Sequence, residues 1–413
     1  MQETPKGLRL HIAILGRRNA GKSTLLNTLA RQQVSIVSPH AGTTTDPVEK
    51  TMELAPLGPV VFIDTAGMDD TGELGRQRID RSRAIIARAD MAILVTDGQE
   101  WGDAEKNLAD TLLSQKIPFV VARNKIDSGA PLNESWQGFS ILPAEVPVIN
   151  TEVLHGKGID KLLDALAALA GHDQAEKPLM SDLLPENGLA LLVVPLDSGA
   201  PKGRLILPQV QAIRDCLDGE RVCMICTDRQ AASAISRLKP DLVVCDSQVA
   251  RQAEALTPAE IPFTTFSILM ARNKGNLEQF AAGAAALELL SSGDTVLIEE
   301  ACSHHAQKDD IGRVKIPRLL KKMTGADLQF CHHQGKELAE YDDNIRAIVH
   351  CGACVITRRQ MEARQQRAKE ANIPMTNYGM AITLTQGILG RALKPFPEAL
   401  AVWEKARLQH EKR

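Results

Sequence analysis

The residue types best suited to chemistry lie late in the chain, at His350-Cys351-Gly352-Ala353-Cys354. Two thiols spaced Cys-x-x-Cys can hold one metal centre from a short loop, and the Gly-Ala pair lets the backbone turn tightly between them. Arg346-Ala347-Ile348-Val349 reads as a short buried strand, so the thiols start where a strand ends. A second stretch repeats the pattern: the strand Thr295-Val296-Leu297-Ile298 is soon followed by Ala301-Cys302-Ser303-His304. Helical patterns between these strands predict a parallel sheet whose carboxyl edge carries all three thiols, the edge where open α/β sheets bind ligands. Five of the ten histidines fall between residues 304 and 350. These residues point to a metal or iron–sulfur site. A closed zinc site needs four ligands, and Cys302, Cys351, Cys354 with His304 or His350 would supply them. A [4Fe–4S] cluster usually takes four cysteines. With three, one iron is left to a histidine, a carboxylate, water or an incoming ligand. Residue types leave both readings open. A Cys351–Cys354 redox pair would instead predict disulfide cycling and no bound metal. Cys331, inside the predicted strand 328–333, reads as core.

A different chemistry opens the chain. Leu8 to Leu15 predicts a strand running into Gly16-Arg17-Arg18-Asn19-Ala20-Gly21-Lys22-Ser23, with Thr24 to Leu29 continuing as an amphipathic helix. This is the G-x-x-x-x-G-K-S phosphate loop in its strand–loop–helix setting. Backbone N–H groups from Gly16 and Gly21 through Thr24 would surround the phosphates. Lys22 would reach the β/γ-phosphates and Ser23 would bind Mg²⁺. Three further stretches specify the nucleotide. Val60 to Ile63 predicts a strand ending in Asp64-Thr65-Ala66-Gly67, where Asp64 would hold Mg²⁺ through water and the Gly67 amide would sense the γ-phosphate. Gly42-Thr43-Thr44-Thr45-Asp46 reads as a first switch; a threonine there, Thr43 or Thr44, completes the Mg²⁺ shell. The strand Phe119 to Ala122 leads to Asn124-Lys125-Ile126-Asp127. The Asp127 carboxylate can accept from guanine N1–H and its exocyclic amine, whereas adenine would leave it unmatched, a discrimination of roughly 10⁴. The four motifs together predict a GTPase.

The elements that position these residues fall into three segments. Residues 1–172 form the nucleotide-binding α/β domain, closed by a helix from Asp160 to Ala170. Gly171 to Asn187, with two prolines and little periodic apolar pattern, reads as a linker. Strands and helices then alternate over 188–268 as a small α/β layer, with packing or self-association as its role. Its Cys223-Met224-Ile225-Cys226 reads as a decoy: residues three apart in a strand point to opposite faces, so these are core thiols. Residues 269–413 carry the cysteine strands in an α/β arrangement with a parallel sheet.

The bulk numbers fit this division. The 413 residues suffice for about three domains at roughly 150 residues each. Hydrophobic residues make up 44% and aromatics only 3%, so the cores are aliphatic. Formal net charge is −3 from 48 basic and 51 acidic residues, a balance that argues against nucleic-acid binding. The N-terminal residues lack the apolar core of a signal peptide. Ala281 to Leu290 is too short to span a bilayer and contains Glu288. The expected location is the cytoplasm, with no membrane partner and the eight cysteines reduced.

The first segment resembles the Era/TrmE branch of translation-factor-like GTPases. Met68 stands where Ras-like proteins carry the glutamine that orients the attacking water, so intrinsic hydrolysis should be slow, on the order of 10⁻⁴ to 10⁻² per second. Asn19 matches the loop asparagine with which potassium-activated members hold K⁺, implying K⁺ stimulation. Asn150-Thr151-Glu152 departs from the Ser-Ala usual in the guanine loop. The whole chain resembles the GTPase scaffold family of [FeFe]-hydrogenase maturation (HydF). That resemblance rests on Ala200 to Gln209, Phe266-Ser267-Ile268-Leu269-Met270-Ala271-Arg272, Ala301-Cys302-Ser303-His304-His305, Asp310 to Arg318, His350 to Cys354, and Thr376-Asn377-Tyr378-Gly379. Ser303 and Ala353 depart from the threonine and second glycine common at those positions, and neither removes a ligand. The resemblance implies a GTP-binding domain, a dimerisation domain at 188–268 and a cluster domain at 269–413. It implies GTP/GDP with Mg²⁺, and a [4Fe–4S] cluster on Cys302, Cys351 and Cys354 with one exchangeable iron. His304, His350, His332 and Asp197 are candidates for the fourth position. It also implies a homodimer that carries a transient diiron precursor, made with two radical-SAM maturases, to apo-hydrogenase. The competing class is an Era-like ribosome-assembly GTPase with a zinc-bound RNA-binding tail, which the scarce aromatics and the missing KH-type loop disfavour.

Overall fold

The computed structural model describes residues 5–31, 48–64, 85–97, 101–126, 142–173, 178–196, 205–301, 310–335, 338–339 and 341–410. Thr43, Thr44, Gly67, Asp127, Asp197, Cys302 and His304 lie outside these residues. Two compact units divide the chain, over 1–176 and 177–413.

In the first unit β1 (Leu10–Leu15) runs through the phosphate loop into α1 (Lys22–Arg31). Then come β2 (Val48–Leu54), β3 (Gly58–Asp64), β4 (Met91–Thr96), α2 (Asp103–Ser114), β5 (Phe119–Arg123), β6 (Val148–Asn150) and α3 (Ile159–Asp173). The strands form one sheet in the order β2-β3-β1-β4-β5-β6, parallel except at β2. Both faces are covered, so the inner strands are apolar throughout. Along β1, Ile12 and Ile14 pack with Leu25, Leu29 and Leu162 on one face. Ala13 and Leu15 pack with Ala109 and Leu112 on the other.

The second unit begins earlier than its sequence suggests. The expected linker holds only in part: Leu179, Met180 and Leu184 are buried, and the amides of Leu179, Met180 and Ser181 all donate to the Asp215 carboxylate at 2.7–2.8 Å. One aspartate 34–36 residues away thus orders a stretch with no periodicity of its own.

Two four-stranded sheets follow. The first comprises β7 (Leu189–Val193), α4 (Leu207–Asp218), β8 (Val222–Cys226), α5 (Ala231–Leu238), β9 (Leu242–Cys245), α6 (Ala250–Leu256), β10 (Phe263–Thr265) and α7 (Phe266–Lys274). After α8 (Leu277–Ala286) come β11 (Thr295–Glu300), α9 (Ile316–Thr324), β12 (Gln329–Gln334), β13 (Ile345–His350), α10 (Arg358–Glu370), β14 (Met375–Asn377) and α11 (Tyr378–Thr385). The chain ends in α12 (Leu389–Leu393) and α13 (Pro397–His410). All pairings are parallel, in the orders β10-β9-β7-β8 and β12-β11-β13-β14. Counted within each sheet, both place the second strand beside the first, then the third, then the fourth.

The likeness extends to detail. Each fourth strand follows an Ile-Pro pair whose proline carbonyl accepts from the third strand, Val243 N to Pro262 O at 2.9 Å and Ile348 N to Pro374 O at 2.8 Å. Each then enters a helix without a loop, capped by its own last residue: Thr265 Oγ1 accepts from Ile268 N, and Asn377 Oδ1 from Met380 N. The matching residues after these caps, Ser267 and Gly379, touch. A Cβ on Gly379 would lie 2.0 Å from Ser267 Cβ. The unit is therefore two copies of one α/β module with their carboxyl edges in contact, and one hydrophobic core runs through both.

Candidate functional site: a phosphate loop and a thiol edge

The phosphate loop is built by close approach. Gly16 (φ +142°) passes so near β4 that a Cβ would sit 2.2 Å from Val95 O. Gly21 (φ +105°) leaves the same clearance from Asn124 Nδ2. Asn124 is buried at the end of β5; its Nδ2 donates to Ala20 O (2.9 Å) and its Oδ1 accepts from Val153 N (3.2 Å). Lys125 Nζ donates to Asn19 O (2.5 Å), and Asn19 and Lys125 both take left-handed conformations. The two loops expected to read phosphate and base are thus joined directly. Lys22 Nζ folds onto the carbonyls of Gly16 (2.8 Å) and Arg17 (2.9 Å), at the mouth of the loop it would hold phosphates in. Ser23 is exposed, Thr24 half-buried, and Asp64 ends β3 on the same carboxyl edge. The guanine-loop stretch Asn150-Thr151-Glu152 leaves β6 beside Asn124, with Thr151 N on Arg123 O (2.7 Å). Arg17 ion-pairs with the fully buried Glu105 in the first turn of α2 (2.5 Å), a link the motifs gave no sign of.

The thiol loop sits where the sequence placed it. β11 and β13 are parallel neighbours with Glu299 opposite His350, so residues 301 and 351 leave adjacent strand ends. Cys351 N donates to Glu299 O (2.9 Å), and Cys351 Sγ accepts from Ala301 N (3.2 Å). Cys302 is the next residue in sequence. Cys351 and Cys354 are half-buried, and burial pushes the Cys354 thiol above its ordinary range. The left-handed turn between them falls on Ala353 (φ +55°) and not on Gly352. Among the described residues no group of three His, Cys, Asp or Glu side chains comes together to hold a metal. What those residues do offer suits one: two thiols in one short loop, half sheltered, with a backbone N–H on one sulfur.

Parts of Asp310 to Arg318, Thr376 to Gly379 and Phe266 to Arg272 meet at this edge. Tyr378 OH donates to Glu300 Oε1 (3.1 Å), a contact that Gly312 permits, since a Cβ there would lie 2.1 Å from the hydroxyl. Burial, with Glu300 and Cys351 nearby, pushes the Tyr378 phenol far up. Asp310 caps the turn before α9 by accepting from Arg313 N (2.9 Å). Asn377 Nδ2 reaches Ser267 O (2.9 Å), tying the edge to the first module.

Two expectations need correction. His350 does not face a vacant coordination position: it is fully buried, with Nδ1 at 2.7 Å from Cys351 O and Nε2 at 3.2 Å from Arg364 Nη1, so neither ring nitrogen is open to a metal. Burial and then Arg364 pull its pKa down to about 3. Cys223 and Cys226 are not core thiols in the full sense, because β8 is an edge strand. Both are half-buried, while Val222, Met224 and Ile225 are exposed. Of the other candidates, His332 is exposed on β12 opposite Ile298, on the far face of the sheet from Glu299. Cys331, inside its strand, packs against the core as expected.

A mostly parallel sheet with a phosphate loop after β1 and an Asn-Lys pair after β5 clamped to that loop defines the first unit as a P-loop GTPase. Residues 11–125 match the model of the 50S ribosome-binding GTPase domain. Beyond it, residues 179–275 match the hydrogen maturase F dimerization domain and 278–395 the hydrogen maturase F tetramerization domain, together just over half of the chain. The chain belongs to the hydrogen maturase F family and carries an Era/TrmE-like GTPase domain.

Among curated proteins, the tRNA modification GTPase MnmE of Rhodopseudomonas palustris (strain BisB18) is 38% identical over 194 residues, which is 44% of this chain and 41% of that protein. MnmE of Nitrosomonas europaea is 34% identical over 166 residues, 39% of this chain and 35% of its own. The chain thus spans well under half the length of these relatives. The G domain of the T. maritima FeoB iron transporter aligns with 39% of this chain and 99% of its own at 23% identity, with a TM-score of 0.29, too low to carry an argument. No helix among the described residues is long and apolar enough to cross a membrane.

Proposed function

We propose that this protein is a GTP-binding and GTP-hydrolysing scaffold for [FeFe]-hydrogenase maturation, which assembles or carries the diiron subcluster precursor and passes it to apo-hydrogenase. The precursor is cargo. The resident group is a [4Fe–4S] cluster held by Cys302, Cys351 and Cys354, which would supply an exchangeable iron for docking that cargo. In the GTPase unit Gly16, Asn19, Gly21, Lys22, Ser23 and Thr24 hold phosphates and ions; Thr43, Thr44, Asp64 and Gly67 respond to the γ-phosphate and Mg²⁺. Asn124, Lys125 and Asp127 read guanine. K⁺ at Asn19 stimulates hydrolysis. Nucleotide state then governs exchange of partners, the two radical-SAM maturases and apo-hydrogenase, in the cytoplasm. Within the chain, 1–172 serves nucleotide, 188–268 dimerisation and 269–413 the cluster.

The observation that carries this reading is the Ala301 N–Cys351 Sγ hydrogen bond at 3.2 Å between adjacent parallel strand ends, in a chain of this family. It brings the backbone that leads directly into Cys302 against the thiol of the Cys-x-x-Cys loop. The test is anaerobic purification with iron, acid-labile sulfide and zinc measured per chain, and an EPR spectrum after reduction. Roughly four irons and four sulfides, lost on Cys302→Ser or Cys351→Ser, are expected. Stoichiometric zinc without sulfide, persisting after reconstitution with iron and sulfide, would overturn the reading.

A further inference from the structure

At the carboxyl end of the second sheet, three register partners stand side by side: His333 on β12, Glu299 on β11 and His350 on β13. Register partners leave the same face of a sheet. Over that face lies Arg364 of α10, among the largest side chains fully removed from solvent. Its Nη1 donates to Glu299 Oε1 (2.5 Å) and approaches His350 Nε2 (3.2 Å), while Nη2 donates to Gly335 O (2.7 Å). A guanidinium has only donors and stays charged. His350 Nε2 therefore has to accept, and the ring proton sits on Nδ1. From there it donates to Cys351 O at 2.7 Å. Since Cys351 N is already held by Glu299 O, both backbone polar groups of this thiol residue are fixed from β11 and from the Arg364–His350 pair.

The first module shows that the fold does not need these charges. At the matching register Val193 of β7 stands between Cys226 and Cys245, so an apolar side chain and two thiols occupy the places of Glu299, His333 and His350. A buried ion pair carries a desolvation penalty that packed apolar residues avoid. Here the penalty is not fully offset, because Glu299 Oε2 meets no hydrogen-bond partner among the described residues and burial raises the Glu299 carboxyl despite Arg364. Among the described residues, a costly device seen only in the module that carries the Cys351–Cys354 loop calls for a role at that loop.

We propose that Arg364 and Glu299 are positioning residues for the thiol loop, acting through His350 to fix the Cys351 backbone and so the direction of its sulfur. This rests on the reading that Cys302, Cys351 and Cys354 hold a cluster. The test uses the full chain, reconstituted anaerobically, as wild type, Arg364→Lys, and the double variant Glu299→Leu with Arg364→Met. The double variant removes both charges together and leaves neither buried alone. Iron release to a chelator and the EPR spectrum of the reduced protein are followed, with thermal unfolding and GTP hydrolysis as controls. The double variant should release iron roughly 10–100-fold faster, the loss typical of cutting a ligand's outer support, with an altered spectrum and controls unchanged. Arg364→Lys should recover part of the retention. Release and spectrum equal to wild type would overturn the proposal. A second measurement holds even if the variants fail to fold: ¹⁵N-histidine NMR of metal-free wild type should show His350 protonated on Nδ1, and a proton on Nε2 overturns the chain of contacts. Wild type that takes up neither iron nor sulfide defeats the cluster reading, while the tautomer still decides the positioning.

Discussion

Asn124 shows how much one side chain can organise. Its amide donates to the phosphate loop at Ala20 and accepts from Val153 beside the guanine loop, and both bonds are buried. Each would cost about 1–3 kcal/mol to break with a partner left unsatisfied. Asn124→Ala should therefore weaken GDP binding by roughly 10–100-fold, measured by titration with a fluorescent nucleotide, even though a base-reading role alone would touch only guanine selectivity. Cys216 of α4 is a residue-scale case of pH linkage. Burial, with Cys223 beside it, raises its thiol to about 12. The unfolded chain loses this proton near the ordinary thiol pKa, so the folded state binds more protons above that point. The stabilisation is complete below the unfolded value and is lost as pH rises toward 12. Urea unfolding of the second unit should lose about 2–4 kcal/mol across that window, and Cys216→Ala should flatten the slope. Neither role can be read from residue type, since both depend on what the group faces.

At the scale of elements, α8 packs onto β14 through Gly283, where a Cβ would lie 2.0 Å from Met375 O. That neighbour is backbone and cannot turn aside. Gly283→Ala should destabilise by about 3 kcal/mol, seen as a lower unfolding midpoint, although alanine is the better helix former by roughly 1 kcal/mol. The edge strand β8 presents Val222, Met224 and Ile225 to solvent, with Leu217 of α4 also exposed. An apolar edge invites pairing with a second copy. Met224→Lys with Ile225→Lys should shift the oligomer toward monomer in sedimentation, with GTP hydrolysis retained. The sequence identified β8 as a strand, but edge position is a property of topology: the same apolar letters fit a central strand.

For the whole molecule, the distribution of cores decides where the chain can be cut. The first unit closes two apolar layers on its own sheet, whereas residues 179–403 share one core across two modules. A fragment beginning at residue 178 should unfold cooperatively, and one ending at 173 should still bind GTP. Fragments 178–275 and 277–410, cut at the boundary between the two family models, should fail to fold separately. Circular dichroism and thermal scans decide this, and independent folding of either module would refute the single core.

The sequence by itself determined the GTPase motifs, the parallel α/β class, and the two cysteine strands with thiols at their carboxyl ends. Those features are local: glycines at fixed spacing, apolar runs and polar residues at strand ends. The Ile-Pro lead-ins at Ile261-Pro262 and Ile373-Pro374 are local too, but Ile117-Pro118 enters β5 in the same way, so the pair signals a strand start and does not reveal the likeness of the two modules. Only the tertiary structure decided that Asp215 anchors the supposed linker, that β8 is an edge, and that His350 turns away from coordination. The physical reason is common to all three. Each depends on a partner far along the chain, such as Arg364 for His350, and side-chain bonding, burial and exposure are fixed only when such partners meet.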